Sequence, residues 1–202
     1  MKRNSHDREI MRKILFFDLE TTGVKFWKNG IHQIGGIVDI DGEEAERFDI
    51  RVAPNPQAII EKEALDVAGV TLEQVQSYMP MREGYDKLMG ILTRYVNRYD
   101  KKDKFYLAGY NNASFDNAFL RAFFVQNGDN YFGSYFWPNC IDVYVMATPH
   151  LFESRPSMPN VKLMTVAKEM GLKIDESRLH DATYDIELTR EIYYKLVNKW
   201  NI

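Results

Sequence analysis

Cysteine is nearly absent. The 202 residues hold one, Cys140, which excludes an intramolecular disulfide framework and a cysteine-ligated zinc site. Long apolar runs are missing too, and none approaches the roughly 20 residues that a membrane-spanning helix needs. The first thirteen residues are charged and lack an apolar stretch, so they do not read as a secretory signal. Excess positive charge is also lacking. Lys and Arg number 26 against 29 Asp and Glu, for a net charge of −3. That argues against a protein that coats nucleic acid through bulk charge, but not against one that grips a strand end locally. Neither internal repeats nor low-complexity segments interrupt the chain. What is present is 45% apolar content, enough for one sizeable core. The default expectation is a cytoplasmic chain without membrane contact, with a polar tail over 1–12 and one domain over 13–202.

The chain is organised around Ile14-Leu15-Phe16-Phe17-Asp18-Leu19-Glu20-Thr21-Thr22-Gly23. A short apolar run leads straight into two carboxylates. It reads as a strand over 14–20, buried on both faces as in the middle of a sheet. Side chains alternate along a strand, so Asp18 and Glu20 share one side and Leu19 takes the other. Two acids side by side at a buried strand end repel each other and lose hydration. A divalent cation is the usual remedy, and oxygen ligands favour Mg²⁺, Mn²⁺ or Ca²⁺. The plainer alternative is a strand end where both acids reach water.

Further strands are expected over 33–40 and 43–52, joined by Asp41-Gly42, whose residues tolerate the positive φ of a tight hairpin turn. Thr71 and Gln74 resemble a capping box that starts a short helix. Tyr85, Leu88, Met89, Leu92, Tyr95, Val96 and Tyr99 recur at helical spacing and predict one long amphipathic helix after Pro80. A charged turn, 100–104, precedes a strand over 105–110. Asn112-Ala113-Ser114 then opens a helix that stops near Gly128, and a short strand follows over 139–143. Helices are expected over 161–170 and 182–197. A meander first, then strands alternating with helices, predicts an α/β fold on a mixed central sheet flanked by helices.

Asp116 and Asp185 each fall in the first turn of an expected helix. The helix dipole stabilises a carboxylate there by about 0.3–1 kcal/mol, which is an ordinary structural role. Yet strand ends and helix starts gather at one edge of an open α/β sheet. Asp18, Glu20, Asp116 and Asp185 are therefore candidates to meet there. His180 lies in a loop five residues before Asp185, with an ordinary pKa suited to a base near neutral pH. His6, His32 and His150 read as exposed.

These segments resemble the three motifs of the DnaQ-like 3′–5′ exonuclease superfamily, whose fold is RNase H-like. Asp18-Leu19-Glu20-Thr21-Thr22-Gly23 is similar to the first motif, Asn112-Ala113-Ser114-Phe115-Asp116 to the second, and His180-Asp181-Ala182-Thr183-Tyr184-Asp185 to the third in its His-x-x-x-x-Asp (DEDDh) form. The likeness spans about 14–199. One departure is Asn111, where family members often carry His. The resemblance implies two Mg²⁺ or Mn²⁺ ions held by Asp18, Glu20, Asp116 and Asp185, with His180 taking a proton from the attacking water. It implies release of nucleoside 5′-monophosphates from 3′ ends of single-stranded DNA or RNA. Leu19, Thr21, Thr22, Asn112 and Phe115 would serve the substrate, and Phe26 and Trp27 are candidates to stack on bases. A DNA polymerase is a candidate partner, and the oligomeric state stays open. A catalytically silent nucleic-acid-binding domain and an RNase H-type endonuclease are the competing expectations.

Overall fold

The computed structural model describes residues 11–175, 178 and 182–200. The hydrophobic stretch at the front forms β1 (Lys13–Thr21), the middle strand of a sheet ordered β3-β2-β1-β4-β5. β2 (Ile31–Ile40) and β3 (Glu43–Arg51) complete an antiparallel meander. The turn between them puts Asp41 at φ 54° and Gly42 at φ 101°, as the Asp-Gly pair predicts. Three helices follow: α1 (Lys62–Ala68), α2 (Leu72–Ser77) and α3 (Met81–Tyr95). The Thr71–Gln74 capping box forms in full at the start of α2. β4 (Tyr106–Gly109) then pairs parallel with β1, leads to α4 (Asp116–Gln126), and is flanked by the two-residue strand β5 (Ile141–Asp142). α5 (Val143–Ala147), α6 (Leu163–Glu169) and α7 (Ala182–Trp200) complete the described strands and α-helices.

The alternation along β1 divides the molecule into layers. Leu15, Phe17 and Leu19 enter a core with α3 and α4. Ile14 and Phe16 enter a second core with α5, α6 and α7. Asp18 and Glu20 continue this second row, so they emerge on the α7 side. Among the described residues no helix is long and apolar enough to cross a membrane.

Several expectations need correction. α1 has no forecast in the sequence reading. α3 ends at Tyr95, and Tyr99 lies beyond it in a turn, with 86% of its surface exposed. The 112–128 helix is broken in two: Asn112–Ser114 is a 3-10 turn, Phe115 takes φ −132° and ψ −77°, and only then does α4 begin. His32 is buried in β2, 1% exposed, not on the surface. It occupies the irregularity where Glu20 faces Gln33 but Thr21 faces Ile31. His6 and His180 lie outside the described residues.

Candidate active site

Asp18 and Glu20 stand near the C-terminal end of β1, each half-buried. Asp116 arrives from the other side, as the first residue of α4, and is buried. Asp185 lies in the first turn of α7. Their electrostatics tie them together. Burial raises the Asp18 carboxyl well above its usual range, and the neighbouring charges of Asp116, Glu20 and Asp185 raise it further. Glu20 is raised by burial and then by Asp185. Asp116 is pushed up to about 7, first by burial, with Glu20 and Asp142 adding to it. The Leu19 backbone opposes the rise in both Asp18 and Asp116.

Such a group is unstable as four anions. Its donors are all hard carboxylate oxygens, the chemistry that suits Mg²⁺ or Mn²⁺. Among the described residues no three His, Cys, Asp or Glu side chains are already drawn into one coordination shell. The electrostatics link the four acids through charge, with Asp116, Glu20 and Asp185 all acting on Asp18.

The loop after β1 is braced from within. Thr22 is fully buried. Its N–H donates to the Gly30 carbonyl, and its hydroxyl donates to the Ile59 carbonyl while accepting from the Gly30 N–H. Asn29 adds bonds to the Thr22 and Ile59 carbonyls and to Glu61. A Cβ on Gly23 would meet the Asn29 side chain at 2.3 Å, so only glycine fits there. The Thr21 hydroxyl donates to the Gly23 carbonyl at 2.8 Å. Thr22 thus braces the loop, and the Thr21 hydroxyl is spent inside it. The Leu19 side chain joins the core with α3 and α4.

Asn112 is fully buried, donates from Nδ2 to Asn117 Oδ1, and leaves its own Oδ1 without a hydrogen-bond partner among the described residues. Phe115 packs on Phe119 with ring centres 4.9 Å apart. Phe119 meets Phe26, and Phe26 meets Trp27 edge-on at 5.0 Å. Phe26 and Trp27 border an open cavity of about 640 Å³ lined also by Ala113, Asn117, Arg121 and Trp137. Its lining follows α4 from Asn117 to Gln126. Sequence reasoning missed Asp142, whose burial beside the second motif is visible only once β5 pairs with β4.

An exonuclease family model, RNase_T, matches residues 15–193. The chain belongs to this exonuclease family, within the DnaQ-like superfamily, and its fold is RNase H-like. It is 25% identical to ribonuclease T of Marinobacter nauticus over 194 residues, covering 91% of this chain and 81% of that protein. It is 25% identical to the PolC-type DNA polymerase III of Clostridium perfringens over 189 residues, spanning 94% of this chain but 11% of the polymerase. E. coli exonuclease I bound to a dT13 oligonucleotide has the same fold, with a TM-score of 0.71 at 21% identity over 93% of this chain and 41% of its own. A zinc-bound form of that enzyme with single-stranded DNA matches equally, with a TM-score of 0.71 at 20% identity.

Proposed function

We propose that this nuclease is a metal-dependent 3′–5′ exonuclease that releases nucleoside 5′-monophosphates from the ends of single-stranded DNA or RNA. The observation that carries the reading is the mutual charge coupling of Asp18, Glu20, Asp116 and Asp185 at one sheet edge. These four carboxylates would hold two Mg²⁺ or Mn²⁺ ions. Bound there, such ions activate water at neutral pH and neutralise charge on the phosphate and the leaving oxygen. The protein's part is to orient and to exclude. β1 fixes Asp18 and Glu20 two residues apart on one face. α4 and α7 bring one carboxylate each from separate helices. His180 is assigned the proton from the attacking water. Asn112 Oδ1, buried and without a partner among the described residues, is assigned as an acceptor for the terminal nucleotide, and Phe115 serves the same nucleotide.

The exposed rings of Phe26 and Trp27 support a single-stranded substrate. Unpaired bases stack on such rings, and each stack is worth about 1–3 kcal/mol. The net charge of −3 supports the same choice, since long duplexes are gripped through many phosphate contacts. The polymerase relative supports a proofreading partnership as one setting; trimming of RNA ends is the other. The domain boundary at 13–202 belongs to the same proposal.

The test uses linear single-stranded DNA and RNA, labelled at the 5′ end, with Mn²⁺. A ladder shortening from the 3′ end, with 5′-monophosphates as product and full arrest by EDTA, is expected. Cuts inside a circular single strand would instead identify an endonuclease. No release from either polymer would leave a nucleic-acid-binding domain without turnover.

A further inference from the structure

The chain approaches Asp116 through conformations that do not sustain themselves. Among the described residues only Asp41 and Asn111 are non-glycines with positive φ. Asp41 sits in the hairpin turn. Asn111 sits at the C-terminal end of β4, at φ 59° and ψ 24°. After it come the 3-10 turn and the irregular Phe115, and then Asp116. Strained backbone of this kind costs about 1–3 kcal/mol per residue and persists only when its surroundings hold it.

Asp142 does the holding. It is 8% exposed and lies beside Gly109 in the β4–β5 pairing. Its Oδ1 accepts from the Asn111 N–H at 3.1 Å, and its Oδ2 accepts from the Ala113 N–H at 3.2 Å. The same Oδ1 accepts from the Tyr144 and Val145 N–H groups, which caps α5. One carboxylate therefore ties the second-motif turn to the start of a separate helix, and α5 packs on α7, which carries Asp185. Two oxygens are needed for this. A single hydroxyl can cap α5 but cannot also reach both turn amides.

We infer that Asp142 is a positioning residue: its carboxylate clamps the Asn111–Ala113 turn and so fixes where Asp116 presents its own carboxylate to the cation and the substrate. The inference rests on the nuclease reading, and it assigns Asp142 no contact with substrate or metal. Partners that orient a metal ligand typically change affinity or activity by about 10–100-fold when removed.

Asp142→Ser separates the clamp from the cap, because serine keeps an N-cap oxygen for α5. Two quantities decide: kcat and KM on a single-stranded oligonucleotide, and Mn²⁺ affinity by calorimetry, both at a temperature where circular dichroism shows a folded chain. In D142S, kcat should fall about 10–100-fold with KM nearly unchanged, and Mn²⁺ should bind about 10–100-fold more weakly. Wild-type kcat and Mn²⁺ affinity in D142S would overturn the inference, as would a change confined to KM. Should D142S fail to fold, Asp142→Asn is judged by the same criteria, since its amide sets an N–H₂ against one of the donating amides. A wild-type chain that binds Mn²⁺ but releases no nucleotide would sink the nuclease reading, and the Mn²⁺ affinities alone would then decide the clamp.

Discussion

Asp18 and Asp39 lie on neighbouring strands and face opposite circumstances. Asp39 is fully buried and surrounded by donors: Arg190 Nε at 2.8 Å, the Tyr194 hydroxyl at 2.8 Å and the Gly42 N–H at 2.9 Å. Asp18 is surrounded by acids, and its carboxyl is raised. A raised carboxyl destabilises the fold progressively as pH rises above the ordinary carboxylate range. Asp18→Asn should therefore raise the metal-free melting temperature at pH 8 while abolishing nucleotide release, as thermal scans and a release assay would show. A lower melting temperature with retained release would contradict the electrostatic picture. His32 carries the opposite sign. Burial and the Arg51 charge lower it to about 4, and neither ring nitrogen has a partner among the described residues. The unfolded chain takes up this proton near pH 6.5 and the folded chain only near 4. Stability should be lost between those values as pH falls, at up to about 1.4 kcal/mol per pH unit. His32→Leu should flatten that part of the pH–stability curve in denaturant titrations. The sequence could show Asp18 and Glu20 as a costly pair because period-two alternation is local. It could not show His32 as buried, because one histidine among β-formers carries no mark of its depth.

At the scale of elements, α7 must be held firmly for Asp185 to meet β1. Arg190 and Tyr194 tie its middle to Asp39 on β2. Glu187, one turn earlier, pairs with Arg47 of β3 and with Arg178. Arg190→Ala would leave the Asp39 charge buried beside fewer donors. Removing one partner of a buried pair costs about 3–5 kcal/mol, so urea denaturation should show a loss of that order. A loss below 1 kcal/mol would mean that Tyr194 and Gly42 suffice. The long elements were legible in the sequence, since α3, α7 and the meander carry many periods of one pattern. The turn at 111–115 was not. Its shape depends on Asp142, about thirty residues on, and no local signal links the two. α1 is too short for its apolar spacing to stand out, with Leu65 its buried residue.

For the molecule as a whole, affinity for a strand should come from stacking more than from a positive field. Trp27 is 71% exposed at the rim of the aromatic row. Trp27→Ala should raise KM for a single-stranded oligonucleotide by about 5–150-fold, the equivalent of 1–3 kcal/mol, with kcat little changed. The logarithm of KM should rise only shallowly with the logarithm of salt, because few phosphates are neutralised by lysine or arginine. A steep salt slope would point to a basic track instead. The proposed metal binding by the four carboxylates underlies all of this, and calorimetric titration of Mn²⁺ into the metal-free chain at pH 8 reaches it without any substrate. Wild type should bind Mn²⁺, and Asp18→Asn and Asp116→Asn should each lose most of that binding while staying folded. Isotherms of both variants that match wild type would contradict the shared site.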